Sequence, residues 1–552
     1  MGTLDILTII IFVAGVVFTG LVFSKRGKNM KSYFAAGGIV PWQISGLSLF
    51  MGFFSAGTFV VWGSIAYSLG WVAITIQWTM SFAGFAIGLL IAGRWNQKKI
   101  LTVAEYISDR FGLNTQKTYI YLFLLLSIFT TGSFLYPVAK IVEVATGLNL
   151  YYSILLLGGL CILYVTIGGL WAVVVTDVLQ FVILLAAVII VILLSFNQTD
   201  GVDGFIQRAP DHFFNLFNGE YTLGFIIAFG IYNAIFLGGN WAYVQRYTCV
   251  KTKEDARKIG FLFGCLYIIS PILWMLPPMV YRIVNPSLDG IENEGAYLMM
   301  CKEVLPKGML GMMLGGMIFA TASSLNSTLN ISSGVITNDI FKRLNPNASN
   351  STLIKVARFS TLAFGLLAIM IALLIPSMGG IVNVVISVAA LTGVPLYLPV
   401  LWSLFSKYQD HKSILTATIL SLSINVILKF IIPLLVDFHL DRTEEMIIGV
   451  SFPVLILFFF ECYYRIKKNV SASKSVCCSN VQLDDTSTQS DNKFSLKVIG
   501  LGVSIIGLLI AVLGCFAGDK MYIVMSTGVV IMLLGITIFL KVYFNKQEND
   551  DK

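Results

Sequence analysis

The chain has 552 residues, 57% of them hydrophobic and only 12% charged, with a mean hydropathy of +0.84 and a formal net charge of +8. Such a composition excludes a soluble domain and points to an integral membrane protein. The basic residues scatter over short loops without forming a stripe, which argues against a nucleic-acid partner.

Apolar runs near the length of a bilayer crossing mark the predicted spans. Leu4–Phe23 comes first; with no basic leader it reads as a retained span rather than a cleaved signal. A loop with Lys25, Arg26, Lys28 and Lys31 follows, then Gln43–Gly70, Trp71–Gly93, Tyr119–Gly147, Tyr152–Gly168 and Trp171–Phe196. After a polar loop to Glu220 come Tyr221–Val244, a basic loop from Arg246, Ile259–Val280, a loop with Glu292 and Glu294, and Gly308–Thr337. Val356–Ile375, Ile381–Leu404, Ile414–Val436 and Met446–Tyr464 lead to a Ser-rich loop from Arg465 to Lys493 with no fold of its own. Leu496–Ala517 and Met521–Leu540 close an expected set of about fifteen spans. The strongly basic loops share one side if the N-terminus is outside and the C-terminus cytoplasmic. Of eight cysteines, Cys161, Cys265, Cys462 and Cys515 fall in or beside spans and Cys301 outside them, so no external disulfide is expected. Cys477 and Cys478, in the polar loop, read as a plain thiol pair or as acylation sites.

Three stretches interrupt the helical pattern. Gly52, Ser55 and Gly57 weaken the second span, and Gly230, Gly238, Gly239 and Asn240 weaken the span five positions later. Broken helices at matching places in two five-helix sets point to an inverted-repeat transporter, although small residues also serve close helix packing. At Leu391–Pro395, Pro395 lacks a backbone donor and offers a further break or hinge.

Polar groups inside spans need partners. In Ala320–Ser333, Ser323, Ser327 and Asn330 share one helical stripe with Ser324 beside it. That stripe suits either a small hard cation, which takes oxygen ligands, or close helix packing. Asp177 lies inside Trp171–Phe196 and reads as a cation or proton site, or as a snorkelling acid. Lys140 and Glu143 share a face and should pair. No arginine or lysine is placed at mid-bundle, so a neutral or zwitterionic solute fits better than an anion.

Gly168–Gln180, Ala320–Asp339 and Gln245–Arg246 resemble signatures of the sodium/solute symporter family, and the likeness runs over about residues 1–440. The resemblance implies an all-α polytopic membrane protein with a five-plus-five inverted repeat of the leucine-transporter type and broken first and sixth core helices. The repeats would occupy 41–200 and 201–406, after a leading helix and loop (1–40). Two peripheral helices (407–466), a flexible loop (467–494) and a C-terminal hairpin with a short tail (495–552) would follow. Carried over from the sodium–galactose and sodium–sialic acid symporters, sodium ligands would be the carbonyls of Met51, Phe54 and Ala320 and the hydroxyls of Ser323 and Ser324. A second sodium would lie at Asp177, Ser323 and Ser327, with Asn326 standing where a serine is usual. Solute contacts would come from Thr58, Gln77, Asn233, Phe236, Asn240 and Tyr267. The arginine that grips sialic acid is absent, with Thr130 and Thr131 in its neighbourhood. Tyr267 and Ala389 replace the lysine and glutamine of the galactose site.

The expectation is a sodium-driven symporter in the plasma membrane, a monomer or loose homo-oligomer, importing a small neutral or zwitterionic solute, sugar-like by preference. A monocarboxylate, amino acid or nucleoside is the alternative cargo. An enzyme is not expected: the three histidines, His212, His411 and His439, fall in loops and no catalytic cluster accompanies them. A sensor would need an output domain, and a channel would conduct without fixed coupling.

Overall fold

The computed structural model describes residues 2–24, 40–100, 102–167, 170–436, 440–467 and 485–550. Among the described residues every regular element is helical. The chain runs through α1 (Thr3–Ser24), α2 (Trp42–Met51), α3 (Thr58–Leu69), α4 (Val72–Lys98), α5 (Val103–Phe111), α6 (Leu113–Thr146), α7 (Leu150–Ile167) and α8 (Leu170–Ser195). The short α9 (Gly201–Arg208) leads to α10 (Leu223–Gly239), α11 (Trp241–Thr248), α12 (Lys253–Val284), α13 (Ala296–Val304) and α14 (Met309–Gly334). Then come α15 (Asn350–Leu374), α16 (Ile381–Trp402), α17 (His411–Leu435), α18 (Arg442–Ile466), α19 (Asp485–Gly514) and α20 (Met521–Asp550).

Ten helices are long and apolar enough to cross a bilayer, or eleven if the bent pair α10–α11 is one span, among the described residues. Breaking a helix shortens its halves: among the described residues α2 and α3 each fall below a full crossing. The loop after Ile259–Val280 is also more ordered than its sequence suggested. It contains the turn Gly290–Gly295 and α13, where Cys301 is buried. At Leu391–Pro395 the helix does not break; it widens into the π-helical turn Ala389–Gly393 and continues. Proline starts the next turn, where its missing N–H costs little. Cys477, Cys478 and His439 lie outside the described residues.

Glycine sets a close backbone contact between α4 and α12. Gly84 and Gly88 on α4 face Gly260 and Gly264 on α12, each pair four residues apart. A Cβ on Gly84 would sit 2.7 Å from the Gly264 nitrogen, and one on Gly260 2.5 Å from the Gly88 nitrogen. Backbone approach of this kind is how helices gain contact where lipid removes the hydrophobic drive. Gly260→Val forces the helices apart, and we expect it to lower the unfolding midpoint and the monodisperse yield in detergent. Overpacking typically costs about 1–3 kcal/mol. A wild-type profile on size-exclusion and thermal unfolding would refute the contact.

The start of α14 is anchored by α1. Asp5 Oδ1 accepts from the backbone N–H groups of Gly308 (2.7 Å) and Gly311 (3.2 Å), and Thr8 donates to the Gly308 carbonyl at 2.9 Å. A carboxylate at a helix N-terminus meets otherwise orphaned donors and the positive end of the helix dipole. Asp5→Ala should destabilise by about 1 kcal/mol, the usual value of such a cap. The readout is the thermal midpoint, with Asp5→Asn retaining most of it. Between α12 and α14, the buried Glu294 accepts from the Ile381 N–H (3.0 Å) and the Tyr136 hydroxyl (3.1 Å). This ties the turn Gly290–Gly295 to α16 and α6. Burial is the largest influence on its carboxyl and pushes its pKa up. Lys140 and Glu143 pair at 2.9 Å, as their spacing predicts.

Candidate functional site

α2 ends at Met51, and Gly52 to Ser55 leave the helix before the chain rewinds through the π-helical turn Thr58–Trp62. The freed backbone is met largely from α14. The Ala56 N–H donates to Thr321 Oγ1 at 3.1 Å, and Ser324 Oγ donates to the carbonyls of Gly52 (3.3 Å) and Ala320 (3.4 Å). Thr58 donates its hydroxyl to the Phe53 carbonyl. No described residue donates to the carbonyl oxygens of Met51 or Phe54. Met51, Phe54 and Ala320 are 0%, 2% and 0% exposed, and Phe50, Phe54 and Trp274 pack together on one flank. Buried carbonyls without donors want a positive partner, and a hard monovalent cation supplies one. The side chains of Ser323, Asn326 and Ser327 lie outside the described residues, so Ser324 is the hydroxyl that the structure places.

Asp177 is 1% exposed on α8 and accepts a hydrogen bond from Ser48 on α2. Both line a cavity of about 70 Å³ with Gly52, Asn240, Arg246 and Ser324. Arg246 corrects the sequence reading. It was placed in a basic loop, but it stands on α11, is 4% exposed and faces this cavity. The bend at Asn240 explains the difference: α11 turns by 58° from α10 and carries the residue into the bundle.

Asn240 makes that bend locally. Its Oδ1 caps α11 by accepting from the Ala242 N–H at 2.9 Å, while Nδ2 donates to the Tyr397 hydroxyl at 3.2 Å. Beside it lies a larger cavity of about 190 Å³. Thr58, Gln77, Asn233, Phe236 and Tyr267 line it, whereas Asn240 lines only the smaller one. Phe236, Tyr243 and Tyr397 border both, so the cavities adjoin. Among the described residues no charged side chain lines the larger cavity. Asn233 donates to Thr79 at 2.8 Å, but the buried Gln77 Nε2 has no hydrogen-bond partner. Trp62, Phe134, Tyr243 and Tyr397 also line the wall and were not singled out from the sequence. Aromatic residues on separate spans carry no periodic signal that would join them.

The family model for the sodium:solute symporter family matches residues 33–420. The chain belongs to that family. It is 27% identical over 498 residues to the sodium/glucose cotransporter of Vibrio parahaemolyticus, covering 83% of this chain and 90% of that one. It is 25% identical over 388 residues to a sodium/sialic acid symporter of Aliivibrio fischeri, covering 67% and 76%. A solved Na+-coupled sialic acid symporter superimposes with a TM-score of 0.70 at 20% identity, over 84% of this chain and 98% of the other. The fold is therefore that of a leucine-transporter-type carrier. The protein is a multi-pass membrane transporter that couples the movement of a solute to that of sodium, and its family is one of transporters rather than enzymes.

Proposed function

We propose that this protein imports a small neutral or zwitterionic organic solute, sugar-like by preference, into the cell across the plasma membrane. Its N-terminus faces outside and its C-terminus the cytoplasm. The reading rests on one juxtaposition: the Met51 and Phe54 carbonyls, to which no described residue donates, and the Ser324 hydroxyl stand next to a cavity of about 190 Å³ whose described lining carries no charge. Sodium bound by Met51, Phe54, Ala320, Ser323 and Ser324 ties α2 to α14 and favours the state that admits solute. Residues 41–200 and 201–406 act as the two repeats, which rock about that site to release both cargoes on the other side. Each sodium moved gains about 2.3 kcal/mol per 100 mV of membrane potential.

Aromatic faces with a few polar edges suit a ring-shaped solute, and the volume is smaller than the ~300–1,000 Å³ of drug-sized pockets. A carboxylate-bearing cargo is the second reading. Its charge would have to reach Arg246 in the adjoining cavity, which Asp177 also lines. The test is a library of neutral and acidic solutes against the purified protein, read by thermal shift with sodium and with a large organic cation. A neutral ring solute that stabilises only in sodium supports the proposal. Stabilisation by acids alone, lost in Arg246→Gln, supports the second reading and overturns the first.

A further inference from the structure

Beyond α14 the helix winds into the π-helical turn Val335–Phe341, which carries Asp339. Gln116, in the first turn of α6, is 0% exposed and donates its Nε2 to Asp339 Oδ1 at 3.0 Å. The remaining oxygens, Gln116 Oε1 and Asp339 Oδ2, are both buried, and neither has a hydrogen-bond partner. With Asp339 ionised, both are acceptors and no described residue supplies a donor to either. Leaving buried acceptors unmet is costly. An amide and a protonated carboxyl group form a planar pair: the N–H meets one carboxyl oxygen, and the O–H on the other meets the amide oxygen. The first half of that pair is present.

We propose that Gln116 and Asp339 are a proton-binding clamp, in which one proton taken from water is held on Asp339 Oδ2, donated to Gln116 Oε1, and ties the tail of α14 to the start of α6. No other bond changes, and the proton returns to water when the clamp opens. The two orphaned acceptors are then satisfied by a single hydrogen.

The surroundings agree with a titrating site. Burial dominates and pushes the Asp339 carboxyl from 3.8 up to about 6; Arg343 opposes this and Glu105 on α5 adds to it. The Arg343 guanidinium also donates to Ser108 at 3.5 Å. Asp109, Lys117, Lys355 and Arg358 on the neighbouring helices are exposed, and Arg110 reaches the Ser406 carbonyl. The shift makes the proton about a hundredfold more tightly held than on an exposed aspartate. Because the folded pKa is raised, the stabilisation is complete below about 4 and is lost as pH rises through about 6.

The test uses the full chain in nanodiscs with carbon-13-labelled aspartate. Infrared titration should show a labelled protonated-carboxyl band that fades with a midpoint near pH 6 and is missing from Asp339→Asn. That variant replaces the acid–amide pair by an amide–amide pair that needs no proton. The wild-type unfolding midpoint should match that of Asp339→Asn at acid pH and fall below it above neutrality, while Asp339→Ala stays low throughout. A wild-type spectrum without that band overturns the proposal and leaves the orphaned oxygens to bound water. So does a difference from Asp339→Asn that does not change with pH.

Discussion

Replacing Ser324 by Ala raises the sodium concentration that half-saturates the protein about tenfold or more. A hydrogen-bonding or coordinating group to a charge contributes about 1.5–3 kcal/mol, and 1.4 kcal/mol is a factor of ten. The effect is read without knowing the solute, by titrating the sodium-induced rise in unfolding midpoint. Thr321→Ala is the control: it removes a different hydroxyl that α14 offers to the α2 break, the acceptor for the Ala56 N–H at 3.1 Å. That variant loses stability while keeping its sodium midpoint. If both variants shift stability alone, the α14 hydroxyls are struts between helices and the sodium assignment fails. Ser323→Ala should behave as Ser324→Ala does, since the family resemblance gives it the same role.

Gln77→Leu separates solute binding from stability, with opposite signs. No described residue partners the buried Gln77 Nε2, so an apolar side chain of similar size should raise the unfolding midpoint measured without solute or leave it unchanged. Solute affinity should fall by about tenfold to a hundredfold, the loss expected when a polar contact in a specific site is removed. The sodium response in the absence of solute should stay at its wild-type value. A site that keeps an unmet donor ready for cargo trades stability for binding in this way. A destabilised variant with equal losses for every solute and for sodium would make Gln77 a packing residue.

Individual elements show where sequence reasoning reached and where it stopped. The breaks at Gly52 and Asn240 were legible because glycine clusters and an asparagine inside apolar runs have no cheap place in a helix. The Lys140–Glu143 pair was legible because helical spacing brings i and i+3 together. Arg246 was misplaced because its position depends on a bend of 58° that no periodicity encodes. The helix α13 was missed because a short helix between two spans reads as loop. The clamp at Gln116 and Asp339 joins residues 223 positions apart, and only packing brings them within 3.0 Å.

The residues themselves determined the membrane setting, the helical class, the two weak points and the family, since each follows from local composition or a contiguous motif. Tertiary structure decided what those weak points face. It set the α2 carbonyls against the Ser324 hydroxyl, placed Gln77 and Asn233 in one chamber with Tyr397, and left Asn240 in the next. Burial completes the division: a carbonyl or an amide becomes a binding group when the fold removes its water and gives it no substitute, and that depends on neighbours from distant helices.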